Sequence, residues 1–172
     1  MSVSTISARD VGLLILRTAV GGVMMAHGAQ KLFGWFGGGG IEGTAEGMES
    51  MGFRPGRSHA IAAGVNETAS GALLLAGLAT APAGAVAAGT MGVAATVLAP
   101  SGFFAQQGGY EYPAGLALAA GALTLTGPGQ ISLDAVTDNR FGNTKVAILT
   151  AVATAAGSAI TLVRRRKDVA AP

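Results

Sequence analysis

Half of the 172 residues are hydrophobic and only 12% are charged, and the mean hydropathy of +0.50 excludes an ordinary water-soluble domain. The formal charge is +2, and the pI of about 9.4 comes mostly from Arg164, Arg165, Arg166 and Lys167, which leaves no basic surface for nucleic acid. Cysteine is absent, so the chain cannot run thiol chemistry, ligate an iron-sulfur cluster through thiolates or carry disulfides.

The first predicted element is a helix over 11–33. It is long enough to cross a bilayer, yet it holds Arg17, His27 and Lys31. An ionisable side chain near the bilayer centre costs about 2.5 to 3.5 kcal/mol, so three of them in one span call for a packed or hydrated interior. Ala26 and Gly28 satisfy the small-residue rule of signal-peptide cleavage. The internal arginine and the length of the stretch favour a retained helix instead.

Gly34-Trp35-Phe36 and Gly37 to Gly40 follow as a flexible exit from the membrane. The glycines lack the Gly-Lys-Ser/Thr element of a phosphate loop and do not follow a strand. Ile41, Ala45, Met48 and Met51 then share one helical face and Glu42, Glu46 and Glu49 the other, as in a short helix resting on the interface.

Further apolar stretches run over 59–79, 82–99, 110–126 and 146–163. A span needs roughly 17 to 25 helical residues. The third and fourth stretches are short and bounded by Pro82, Pro100 and Pro113, and the fourth is the least regular. Helices and closed barrels alone satisfy the backbone in lipid, and no stretch alternates as a barrel strand does. The fold class read here is all-α, a polytopic bundle.

Glycine, at 28 residues, supports close helix packing in a membrane. Ala60, Gly64, Thr68, Ala72 and Ala76 form a ridge with a four-residue repeat, and Gly84, Ala88, Gly92 and Thr96 repeat it, so the two helices joined by Thr80, Ala81 and Pro82 are expected to pair. Gly127-Pro128-Gly129 should end the fourth helix. Beyond it, Ser132 or Asp134 is expected to cap a turn or lie at the membrane surface.

Five spans place Arg54, Arg57 and the terminal basic run on the inner side and Arg9, Arg140 and Lys145 outside, with the N-terminus out. A four-span alternative, in which the fourth stretch only dips in, puts both ends inside.

At about 100° per residue, Arg17, His27 and Lys31 fall within roughly 80° of one another, with Gly21 and Gly28 on the same side. Glu67 stands near mid-membrane in the second span beside Asn66, and Arg17 or Lys31 is its expected partner. Glu111, between Tyr110 and Tyr112, reads as interfacial and within reach of His27 or Lys31 if the helices surround one cavity. His59 reads as the interfacial start of its helix. Two histidines without cysteine give little support to a transition-metal site.

His27-Gly28-Ala29-Gln30-Lys31-Leu32-Phe33-Gly34 after Arg17, Glu67 followed by Gly71, Leu74 and Gly77, Glu111 near a late helix, and Gly127-Pro128-Gly129-Gln130-Ile131-Ser132-Leu133-Asp134 together resemble the DoxX family. The resemblance covers 9–134. It implies a four-helix integral membrane bundle, with some members linked to quinone-dependent thiosulfate oxidation and others accessory to redox or maturation systems. An additional transmembrane helix at 144–163 and a basic cytoplasmic tail at 164–172 depart from the four-helix pattern.

Two functional readings follow. In one, the chain is a quinone-associated subunit or membrane anchor of an oxidoreductase system in the plasma membrane. His27 and Glu67 exchange protons with the quinone, and Arg17, Lys31, Asn66 and Glu111 line a polar cavity. No cofactor is covalently bound, and the partner is a soluble redox enzyme or another membrane subunit. In the other, the chain is a non-catalytic scaffold or assembly protein whose buried ion pairs fix helix register. A small-solute transporter is a weaker reading, because the halves show no inverted repeat.

Overall fold

A computed structural model of the protein describes residues 5–170. Among them, regular structure is helical throughout. The helices are α1 (Ala8–Phe33), α2 (Gly40–Ser50), α3 (Gly56–Ala76), α4 (Thr80–Leu98), α5 (Glu111–Thr126), α6 (Leu133–Val136) and α7 (Thr144–Ala170), with short 3-10 turns between α1 and α2 and between α4 and α5. The five expected apolar helices are α1, α3, α4, α5 and α7.

Three of these, α1, α4 with its 3-10 extension to Ser101, and α7, are long and apolar enough to cross a membrane. The 21 residues of α3 suffice in length, but Arg57, His59, Asn66 and Glu67 lower its hydropathy. The 16 residues of α5 rise only about 24 Å, short of the roughly 30 Å hydrocarbon core. Pro82 and Pro113 lie inside the first turns of α4 and α5. That is where a missing N–H costs nothing, so they begin these helices rather than bound them from outside.

Helices α1, α3, α4 and α5 form the bundle, with α1 against α3 and α4 against α5 as its tightest pairs, and α7 lies along the outside of α4. The pairing expected between α3 and α4 is therefore looser than the pairing each makes with another helix. Glycine chemistry decides it. A Cβ on Gly21 would sit 2.7 Å from the Gly71 carbonyl oxygen, and one on Gly71 would sit 2.7 Å from that of Gly21. Gly28 and Gly64 continue this seam against Thr68 and Leu32. The ridge drifts from Gly64 and Thr68 onto Gly71 because four residues overshoot one 3.6-residue turn. Ala72 and Ala76 are left exposed. On α4, Gly84 packs against Ala120 and Thr124 of α5, and Gly89 faces Thr154 and Ser158 of α7.

Helix α2 lays Ala45, which is buried, against α3, while Glu42 pairs with the exposed Arg57. Its apolar face thus covers the end of the bundle. Phe33, Trp35 and Phe36 stay exposed beside it, as interfacial aromatic anchors do.

The last helix runs unbroken through Arg164 to Lys167, so the basic run extends α7 instead of forming a separate tail; 171–172 lie outside the described residues. Arg165 donates from Nε to the Met51 carbonyl at 2.7 Å and lies 5.6 Å from the Phe53 ring centroid. Its end of α7 therefore sits beside the α2–α3 connection, at the opposite end of the bundle from Ser7.

The seam predicts two opposite outcomes at adjacent positions. Gly21→Ala forces a methyl into the α3 backbone and should destabilise the protein by about 1 to 3 kcal/mol. Gly22, with nothing within 4 Å of its would-be Cβ, should accept alanine at no cost. Thermal unfolding of both variants in detergent compares them directly.

Candidate functional site

The polar face of α1 meets the rest of the bundle at two points. Arg17 and Lys31 are 14 residues apart and therefore about 21 Å apart along the helix. Each group finds a different kind of partner.

Arg17 is 3% exposed and does not reach Glu67. Its Nη1 donates to the carbonyls of Leu74 at 3.1 Å and Leu75 at 2.7 Å, and its Nη2 donates to that of Ile131. The first two are carbonyls of the last turn of α3, where i+4 donors run out; that of Leu74 also accepts from the Gly77 N–H at 3.1 Å. A guanidinium there satisfies them and opposes the negative end of the helix dipole. Arg17 therefore belongs to a helix cap and not to the polar cavity expected for it.

Across the tight turn from α3 to α4, the fully buried Asp134 performs the complementary task. Its carboxylate accepts from the backbone N–H groups of Ala79 at 2.7 Å and Thr80 at 2.8 Å, and its own N–H donates to Gly77 at 2.8 Å. A carboxylate thus caps the start of α4 from a distant segment. Ser132 caps α6 through Ala135, as a turn cap was expected to. Asp134 is buried within the protein, against the α3–α4 turn. Asp10, in a capping box with Ser7, accepts from the Gln130 N–H at 2.8 Å and ties the same loop to α1. A cavity of about 370 Å³ at this end is lined by Asp10, Gln130 and Asp134, but their caps already occupy the two carboxylates.

At the other end, Lys31 Nζ donates to Glu67 Oε2 at 2.7 Å, with the two side chains 23% and 3% exposed. Lysine, not arginine, is the partner of this buried carboxylate. One turn earlier on α1, His27 Nε2 lies 3.1 Å from the Tyr112 hydroxyl, the two rings tilted with centroids 5.7 Å apart.

All four side chains line a cavity of about 570 Å³ to which α1 to α5 and α7 contribute. Asn66 and His59 also border it, and His59 packs on Phe53 with centroids 5.2 Å apart. Met48, Met51, Val86, Met91, Val93 and Val97 supply much of the apolar wall. The lining is mainly apolar, with the ionisable groups gathered on the α1, α3 and α5 side and the hydroxyls of Thr90, Thr154, Ser158 and Thr161 on the α4 and α7 side. The cavity volume falls within the roughly 300–1,000 Å³ range of small-molecule sites.

Four of the six expected site residues, His27, Lys31, Asn66 and Glu67, thus share this cavity, whereas Arg17 and Glu111 do not line it. Glu111 turns back on the preceding loop and accepts from the Ala105 N–H at 2.9 Å. Its neighbour Tyr112 enters instead, because one residue is about a 100° rotation on a helix. Sequence reasoning missed Tyr112 and the α7 residues Thr154 and Ser158. A usable signal existed for the tyrosine: a histidine within an apolar span needs a partner, and a phenol at the start of a neighbouring span can provide one.

Two perturbations separate the ends. Arg17→Met removes the donor to the Leu75 carbonyl, leaves that of Leu74 with the Gly77 N–H alone, and should cost roughly 3 kcal/mol in thermal unfolding, while the volume around Glu67 stays unchanged. Lys31→Met strands the Glu67 carboxylate and should cost about 3 to 5 kcal/mol; adding Glu67→Leu to it should restore much of that loss. A double-mutant cycle measured by unfolding in lipid nanodiscs gives the coupling.

Comparison with known proteins adds one assignment. No curated protein and no solved structure matches the chain. The model of the DoxX family matches residues 12–100, a segment that contains the glycine seam, Arg17, His27, Lys31, Asn66 and Glu67. The chain belongs to the DoxX family of helical membrane proteins.

Proposed function

We propose that the cavity beside Lys31 and Glu67 is the quinone site of a membrane redox system, and that the chain serves as its quinone-associated subunit or membrane anchor. The observation that carries this reading is the convergence of an ammonium–carboxylate pair and an imidazole–phenol pair on one cavity with apolar walls. A bound quinone supplies two-electron, two-proton carrier chemistry. Its electrons come from a partner redox enzyme or another membrane subunit, since the chain lacks the cysteines that would hold an iron-sulfur cluster.

The residues fit a head group with two carbonyl oxygens. Lys31 is a fixed cation that lowers the cost of negative charge on a nearby oxygen, and Glu67, 2.7 Å away, can give or take a proton at Oε2. His27 and Tyr112 form the second arm. The Tyr112 hydroxyl can hand a proton onward while Nε2 of His27 accepts or donates according to its tautomer. The apolar walls exclude water and hold the ring.

Location in the plasma membrane is part of the same proposal. Arg54, Arg57, Arg164, Arg165, Arg166 and Lys167 gather at the end of the bundle that borders the cavity, as against Arg9, Arg140 and Lys145 at the other. This asymmetry supports a cytoplasmic position for the cavity end.

Titration with menaquinone and ubiquinone analogues in nanodiscs tests the reading. The wild type should bind saturably, Glu67→Gln and His27→Ala should each weaken binding about 10-fold or more, and Glu111→Gln should bind as wild type. The absence of saturable binding to the wild type would leave the scaffold role as the account of these ion pairs.

A further inference from the structure

The cavity is not closed on all sides. Ala62 and Asn66 of α3 line it, yet both are exposed. Asn66 is the midpoint of the 21-residue α3, about 15 Å from either end of the helix. An opening at that height faces hydrocarbon, not water, if α3 stands across the bilayer.

The wall opposite is α7. It has no buried residue and packs along α4, where Thr154 and Ser158 meet Gly89. At its far end it is held through Arg165 on Met51 and Phe53. Along this stretch Thr154, Gly157, Ser158 and Thr161 border the cavity, and α3 and α7 share no packing seam of their own. Helices α3, α4 and α7 all contribute to the lining, with α4 packed against both of the others. The cavity wall is therefore unsealed where α3 and α7 face each other without a seam.

We propose that the gap between α3 and α7 is a lateral window through which an apolar chain passes between the cavity and the lipid, so that the ligand is a membrane-dissolved molecule with a polar head and a long apolar tail. Head and tail then separate along the observed lining: Lys31, Glu67, His27 and Tyr112 meet the head, and Val93 and Val97 of α4 guide the chain toward Ala62 and Asn66. The tail identity rests on the quinone reading, whereas the window does not.

The test uses a phospholipid carrying a photoactivatable diazirine on its acyl chain, in nanodiscs with the full chain, with crosslinks mapped by mass spectrometry. Labelling is expected on Val93, Val97 or Glu67 inside the cavity as well as on the outward-facing Leu118 and Leu125. Ala62→Trp should cut the cavity labelling at least 5-fold while leaving Leu118 and Leu125 unchanged. Labelling confined to the outward residues in the wild type, or cavity labelling that Ala62→Trp leaves intact, would overturn the window. Binding of a long-chain quinone and of its tail-less analogue is measured alongside. Acyl labelling of the cavity without saturable binding of either quinone would uphold the window and sink the quinone reading. If both quinones bind and Ala62→Trp weakens only the long-chain one, both readings stand.

Discussion

Close contact between α1 and α3 is the constraint on which the other features depend. Gly21 and Gly71 bring two backbones together where a methyl on either would lie 2.7 Å from the opposite carbonyl. Only at that separation can Lys31 reach Glu67 at one end of the seam and Arg17 reach the last carbonyls of α3 at the other. Glycine also makes the seam affordable in lipid. Apolar side chains gain little by leaving an apolar solvent, so backbone approach, dispersion and polar pairing must supply the association.

The charged residues then divide into two tasks by position. Near the α3–α4 turn, Arg17 and Asp134 stand at the carbonyl end of one helix and the amide end of the next, each matched in sign to the dipole it meets. Both are engaged by backbone groups. At the cavity end the partners are side chains that can exchange protons, and they border open volume. That difference, and not the mere presence of buried charge, is what distinguishes a binding site from a brace. Buried ion pairs alone are weak evidence of either.

The sequence made the helices legible because lipid imposes a length and forbids open strands, so five apolar runs translate into five helices with little ambiguity. The polar face of α1 was equally legible, since a helical period places Arg17, His27 and Lys31 on one side. Which partner each residue takes was not. Arg17 reads as a counter-ion for Glu67 until its axial distance from that carboxylate is set by the packing. Glu111 and Tyr112 are adjacent, and only the rotation of α5 decides which of them enters the cavity. Asp134 caps a helix more than fifty residues earlier, a contact that no local period encodes. The small-residue ridge of α3 was visible, but a repeat of four does not say which neighbour it faces. Gly21 and Gly28 on α1 settle that through shape.

The central claim is that Lys31 and Glu67 form a direct pair bordering accessible space in the bilayer-embedded protein. Solid-state NMR in lipid bilayers, with 15N at lysine Nζ and 13C at glutamate Cδ, measures it most directly. The account predicts a strong dipolar coupling from one lysine, lost in Glu67→Gln and altered when a quinone analogue is added. A Lys31 Nζ without coupling to any glutamate carboxyl, in a protein that is otherwise folded, would contradict it.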